Sequence, residues 1–287
     1  MSLENQRNWL RLAMVSGMSF GGSYALLKAF GLPETIFAQS VLSLSTVLPQ
    51  ELAMLVHRSP GEDVETKIQT ILAWIKNIPQ VRLLVPSDKD FPKRFLTVPQ
   101  PPLVVLAAGD VKLLSRKTVS LVGSSHPSAD AELTTQSWVS ALIKKELSLI
   151  QGEAPGIEKI GLLTALKSKV PSLVIVSKNP LTDDNFEQKL SFILNKGLLI
   201  SPLEVSEDPW LMRQRLLVAS TDHFVVIESS IRSRVLSLVR EAADAGRNVM
   251  AVPGSIHSPL SKGCHKLIRE GAKLVESADD IWDEIKN

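Results

Sequence analysis

Val119-Ser120-Leu121-Val122-Gly123-Ser124-Ser125-His126-Pro127 is the stretch whose reading decides the fold. A short apolar run ends in a glycine. Hydroxyl residues follow, then a helical pattern over Ala129–Lys145 and a second apolar run at Leu147–Ile150. Runs this short and this continuously apolar read as strands buried on both faces, which is how parallel strands are placed. The intervening helix supplies the crossover that joins them.

The same unit recurs on either side. Apolar runs stand at Arg82–Val85, Leu103–Ala107, Leu173–Val176, Leu198–Ile200, Phe224–Ile227, Val249–Val252 and Lys273–Val275. Helical patterns stand at Ile157–Leu166, Asn185–Asn195, Trp210–Ala219, Val235–Ala245, Cys264–Arg269 and Ala278–Ile285. Strands alternating with helices on this scale predict the α/β class, with a doubly wound, mostly parallel sheet.

Upstream of Val81 the pattern is helical. Trp9–Met14 leads to a glycine-rich corner at Gly17–Gly22, then to Ser23–Phe30, closed by Gly31-Leu32-Pro33. Short helices follow at Glu34–Gln39 and Pro49–Val56. A longer amphipathic one follows at Val64–Lys76, with Ile68, Ile71, Leu72 and Ile75 on one side. Helix, glycine turn, helix fits a DNA-binding hairpin in which backbone N–H groups meet phosphate. With no lysine or arginine beside the turn before Lys28, a small packing unit with glycine C-caps fits better. The expected division is residues 1–78, helical, and 79–287, α/β. A chain of 287 residues has room for about two domains.

Composition removes several classes. The chain is 44% hydrophobic with mean hydropathy +0.12, unlike a disordered segment. One cysteine excludes an intramolecular disulfide framework. Uncharged stretches such as Leu12–Leu27 fall short of the roughly 20 apolar residues of a membrane span. The start, MSLENQRNW, has no apolar signal region, so a cytoplasmic protein without membrane contact is expected. Aromatic residues make up 5%, too few to furnish a base-stacking platform of the OB or RRM kind. Arginine-led contact with a phosphate backbone stays open. Five of the thirteen arginines fall between Arg213 and Arg240, where only Asp222 and Glu228 oppose them.

In an open α/β sheet, ligands bind beyond the carboxyl ends of strands. That rule selects Gly123, Ser124 and Ser125, whose backbone and hydroxyls can receive a phosphate; an ordinary turn with a serine cap also accounts for them. It selects Gly152 and Gly156 in the next strand-to-helix turn. It also selects Arg213 and Arg215, which cannot share one face if their segment is fully helical. Ser229–Arg234 carries the strongest physical hint. Arg232 and Arg234 stand where a helix begins, and cations there oppose the helix dipole unless an anion is present. Pro253, Gly254, Lys262 and Gly263 complete the set, the proline and glycines as devices of loop geometry. Catalytic patterns are missing: there is no HExxH, G-x-S-x-G, Walker A or G-x-G-x-x-G sequence. Glu153, Glu158 and Glu228 lie near strand ends. Such carboxylates are usually caps or solvated.

These segments join into a pattern that resembles the DNA-processing protein A family (DprA, also called Smf). The densest likeness runs from Glu241–Arg247 through Val252-Pro253-Gly254-Ser255-Ile256 to Leu260–Ala272. Asp90-Phe91-Pro92, Pro101–Gly109 and the helical Trp9–Gly31 extend it over nearly the whole chain. The resemblance implies a Rossmann-like fold preceded by a SAM-like or helix-hairpin-helix-like domain. It implies a non-enzymatic single-stranded DNA-binding protein of natural transformation, usually a homodimer, that protects incoming DNA and helps load the RecA recombinase. No cofactor or metal is implied. The winged-helix-like C-terminal extension of many members is expected to be missing.

The family's G-S-R loop is Gly123-Ser124-Ser125 here, without the arginine. Its S-G-x-A-x-G-I-D-x-x-A-H is Gln151-Gly152-Glu153-Ala154-Pro155-Gly156-Ile157-Glu158-Lys159-Ile160-Gly161, without the terminal pair. Arg213-Gln214-Arg215 keeps both arginines of R-N-R, and Ser233-Arg234-Val235-Leu236 replaces S-G-S-L. DNA contact is therefore expected from Gly123–Ser125, Arg213, Arg215, Arg232, Arg234 and Lys262. Two alternatives stand beside this. One is a nucleotide-binding enzyme resembling the phosphoribohydrolases, whose glycine-rich loop is not matched at Ser230–Val235. The other is a degenerate paralogue that binds protein partners.

Overall fold

Alternate residues of each central strand face opposite layers, and this sorts the core. In the computed structural model, Val119 and Leu121 join one apolar cluster and Val122 the other; Val225 joins the first, Phe224 and Val226 the second. The structure describes residues 1–98, 101–168, 173–176, 197–203 and 209–286, together with 185, 188 and 193.

Six helices come first: α1 (Leu3–Ala13), α2 (Phe20–Phe30), α3 (Pro33–Phe37), α4 (Val41–Leu44), α5 (Gln50–His57) and α6 (Glu62–Asn77). Ser2, Ser19 and Ser40 cap α1, α2 and α4, each accepting from a backbone N–H three residues on. Glu62, Asp63 and Glu65 in the first turn of α6, with Lys76 in the last, complement its dipole. Arg7 of α1 pairs with Glu65 at 2.7 Å. The glycine corner is smaller than its sequence suggests. Only Gly17 has a positive φ, whereas Gly21 and Gly22 lie within α2, where a Cβ on Gly22 would press on Met18 Sδ and Leu48.

The sheet holds β1 (Val81–Leu84), β2 (Val105–Gly109), β3 (Thr118–Val122), β4 (Ser148–Gln151), β5 (Leu173–Val176), β6 (Gly197–Pro202), β7 (His223–Val226), β8 (Asn248–Ala251) and β9 (Lys273–Leu274). Its order is β1-β2-β6-β5-β4-β3-β7-β8-β9. The seven strands from β6 to β9 run parallel, while β1–β2 and β2–β6 pair antiparallel. The sheet is therefore α/β, mostly parallel and doubly wound.

The remaining helices are α7 (Ala129–Leu142), α8 (Ile157–Lys167), α9 (Pro209–Ser220), α10 (Val235–Asp244), α11 (Lys262–Arg269) and α12 (Ala278–Lys286). The face bearing α7, α8 and α12 shares one apolar cluster with the six N-terminal helices, from Leu10 and Ile36 to Leu83, Leu121 and Val225. Cores of α9, α10 and α11 pack on the other face with Phe91 and Phe95. Most of the helical pattern at 185–195 lies outside the described residues.

At the amino ends of the strands, Asp222 ties the layers together. Its carboxylate accepts from Arg94 at 2.8 Å and from Thr118 Oγ1 at 2.8 Å. Arg94 also donates to the Arg116 carbonyl at 3.0 Å.

Candidate functional site

Strand order steps outward from β3 through β4 and β5 to β6, then restarts at β7 and runs the other way. β3 and β7 lie side by side in parallel, with Val122 opposite Val226. Beyond Val122 the chain turns to α7 on one face; beyond Val226 it turns to α10 on the other. The two chain directions part here, at the place where such sheets hold ligands, and beside it lies a cavity of about 410 Å³ lined by Ser128, Glu228, Pro253, Gly254 and Ser261.

The first wall is Gly123–Ser128. A Cβ on Gly123 would stand 2.8 Å from Ile157 Cγ1 and 2.9 Å from the Glu228 carbonyl, so only glycine lets β3, β7 and α8 close up here. Ser124 is buried: its hydroxyl accepts from His126 N at 3.1 Å and its carbonyl from Ile157 N at 3.1 Å. Ser125 is exposed, its Oγ 3.1 Å from His126 Nδ1. Ser124 thus builds the loop and Ser125 faces solvent.

Glu228 forms the floor. Its carboxylate accepts from Ser128 N at 2.9 Å and Ser128 Oγ at 2.6 Å. Ser128 is the N-cap of α7, so the chain's own carboxylate occupies the positive end of that helix. Glu228 has φ of 121°, a conformation costing about 1–3 kcal/mol in a non-glycine residue. Spacing along the sequence gives no hint of this contact, which joins residues 100 positions apart.

The second wall is Ser229–Arg234, stitched to the loop before α11. Ser229 N donates to the Leu260 carbonyl at 2.7 Å, and Gly263 N to the Ser229 carbonyl at 2.6 Å. A Cβ on Gly263 would collide with that same carbonyl, and one on Gly254 with Ser261 Oγ. Pro253 and Gly254 follow β8 in the adjoining turn. Arg232 and Arg234 are exposed, and neither side chain has a hydrogen bond or ion pair among the described residues. Arg234 is the residue at which α10 begins. Lys262 is exposed too, with Nζ donating to the Ile256 carbonyl. Beside these, Cys264 is 1% exposed and burial pushes its thiol up to about 12, which makes it an inert core group.

Arg213 and Arg215 are placed differently from the expected surface pair. Helix α9 is continuous from Pro209 to Ser220, so residues two apart point to different sides. Arg213 is buried and pairs with buried Glu158 of α8 at 3.0 Å. Its guanidinium also lies 4.3 Å from the Trp210 ring. A Cβ on Gly152 would overlap both charged groups; one on Gly156, which has φ of 80°, would overlap the Ser124 carbonyl. These glycines let the turn fold over the ion pair. The Arg213 guanidinium faces the interior, and Arg215 is half-buried. The structure therefore gathers Gly123–Ser125, Arg232, Arg234 and Lys262 on one edge and sets Arg213 beneath it.

Among the described residues, no group of three or more His, Cys, Asp or Glu is arranged to hold a metal, and no helix is long and apolar enough to cross a membrane.

Comparison with known proteins agrees with this architecture. A family model described as DNA recombination-mediator protein A matches residues 82–286. The DNA processing protein DprA of Bacillus subtilis is 26% identical over 250 residues, 84% of each chain. DprA of Streptococcus pneumoniae is 29% identical over 208 residues, 69% of this chain and 72% of the relative. Protein Smf of Escherichia coli is 25% identical over 286 residues, 97% of this chain and 74% of the relative. Among solved structures, S. pneumoniae DprA superposes with a TM-score of 0.78 at 22% identity, covering 96% of this chain and 97% of that one. DprA from Helicobacter pylori, described for its single-stranded DNA binding mode, superposes with a TM-score of 0.59 at 22% identity, covering 72% and 95%. The matched region takes in all of the sheet but Val81, with the switch point at β3 and β7, and the chain belongs to the DNA recombination-mediator protein A family.

Proposed function

We propose that this chain is a non-enzymatic DNA-processing protein that binds single-stranded DNA through its phosphates at the β3–β7 crevice. The observation that carries this reading is the pair Arg232 and Arg234. Both are exposed and free of partners among the described residues, at the start of α10, where cations oppose the helix dipole. A phosphate running past that turn satisfies both arginines, while the helix start is already bonded within the chain, Val235 N to Ser233 Oγ at 3.3 Å and Leu236 N to the Ser233 carbonyl at 3.1 Å. Ser125 and Lys262 flank it. Arg213 acts beneath the surface by holding α8 through Glu158, and Arg215 adds to the same side of the crevice.

Family membership supports the following biological setting. The protein acts in the cytoplasm as a homodimer, protects DNA taken up in natural transformation, and assists its transfer to the RecA recombinase. Residues 1–78 form the accessory helical domain of this assembly.

Fluorescence anisotropy with labelled oligo-dT across a salt series tests the site. Each phosphate neutralised on a single strand contributes about −0.7 to the slope of log affinity against log salt. Arg232→Ala with Arg234→Ala is expected to make the slope shallower by about 1.4. An unchanged slope, or no binding by the parent protein at low salt, would overturn the assignment.

A further inference from the structure

A second cationic cleft lies at the opposite edge of the sheet. Its cavity is about 750 Å³ and sits at the amino ends of the parallel strands, between the loop after β1 and the turn after β2. Gly109, Ser115 and Asp222 mark that edge; Gly123 and Glu228 mark the other.

Charge in this cleft is unevenly settled. Each lining carboxylate is already engaged from within: Asp90 by Arg82 at 3.0 Å, Asp222 by Arg94 at 2.8 Å, and Asp110 by the Lys112 backbone N–H at 3.0 Å. Lys89, Lys93 and Lys112 are exposed, and their ammonium groups have no hydrogen bond or ion pair among the described residues. Three unpaired lysines thus ring the cavity, and with Asp110 the one carboxylate holding no cation, the lining keeps a net excess of two positive charges. The lysines come from two separate loops. The helical turn beginning at Val111 already has Asp110 at its N-terminus, so no backbone cradle for a single phosphate is left open. Separated lysines without such a cradle are point charges suited to a chain of phosphates.

We infer that this cleft is a second polynucleotide-binding site, holding another segment of single-stranded DNA on the edge of the sheet opposite Arg232 and Arg234. The choice of polynucleotide rests on the function proposed above. One chain then grips two segments, and only strands too short to pass around the sheet from one edge to the other occupy the two sites separately. The parallel strands separating them are about 13–17 Å long for four or five residues.

The experiment is the saturating ratio of short oligo-dT strands to protein chains, measured by sedimentation at low salt. The parent protein is expected to take two strands per chain. Lys89→Glu, Lys93→Glu and Lys112→Glu together are expected to leave one, as are Arg232→Ala with Arg234→Ala. All three lysines are exposed, so their unfolding midpoint should match the parent; an alanine triple serves if charge reversal lowers it. A parent protein that takes only one strand per chain, and keeps it in the lysine triple, overturns the inference and leaves the crevice reading standing. One strand lost in the lysine triple but kept in the arginine pair supports the cleft and removes the crevice. Displacement of the lysine-dependent strand by inorganic phosphate at low concentration marks a small-anion pocket and also overturns it.

Discussion

Replacing Arg213 by methionine separates two roles for this side chain. In the structure it is 3% exposed and bonded at 3.0 Å to Glu158, whose side chain is 5% exposed. Methionine fills much of the volume but leaves the carboxylate buried without its cation. Breaking a buried pair from one side costs about 3–5 kcal/mol. Loss of the Trp210 contact adds about 0.5–2 kcal/mol. Removing both charges, as in Arg213→Met with Glu158→Leu, should return stability to near the parent value, because no desolvated charge remains. The assay is urea unfolding of parent, single and double variants, with oligo-dT affinity measured across salt at a temperature where each is folded. Stability should fall in the single variant and recover in the double. The salt slope should stay the same in all three. A single variant with parental stability and a slope shallower by about 0.7 would refute the reasoning, since Arg213 would then have to reach a phosphate.

The thiol of Cys264, pushed up to about 12 by burial, should be silent toward a disulfide reagent at pH 8 and react fully once the chain is unfolded. Rapid reaction of the native protein would contradict the packing of α11. Burial lowers the titration of His223 below its ordinary 6.5, against the smaller opposing pull of Asp222. The unfolded chain therefore binds the proton more readily, and stability should decline as pH falls below about 6.5 until the folded imidazole also titrates. Thermal melts between pH 8 and 5 should show this decline and show less of it for His223→Gln; identical profiles would exclude His223 as its source.

Among the described residues, the strands from β3 to β7 are legible in the sequence because a buried parallel strand is a short apolar run bounded by polar turns, while β9, exposed at both residues, is legible only as the tail of such a run. Edges differ by a residue or two, as at β2, read from Leu103 and found from Val105. Direction is not legible for β1 and β2. Their apolar runs look like the others, and only pairing across the sheet makes them antiparallel. Helix α4, four residues long, is too short to show a period. At the site, the rule that ligands gather beyond strand ends selects Gly123, Arg232 and Arg234, which the structure sets beyond the carboxyl ends of β3 and β7. It could not place Arg213. Charge alone predicts a surface residue, and the buried partner that overrides this lies 55 positions away.

Glu228 has a consequence for the company this protein keeps. Cells are crowded with free nucleotides, each carrying the same phosphate that a DNA strand carries. A sheet of this kind usually offers them a socket at the first helix after its switch point. Here the socket comes already plugged by a carboxylate held on two hydrogen bonds from Ser128. A free phosphate would have to displace Glu228 from Ser128 to enter there, and on the function proposed above the preferred ligand is one long enough to reach Arg232 and Arg234.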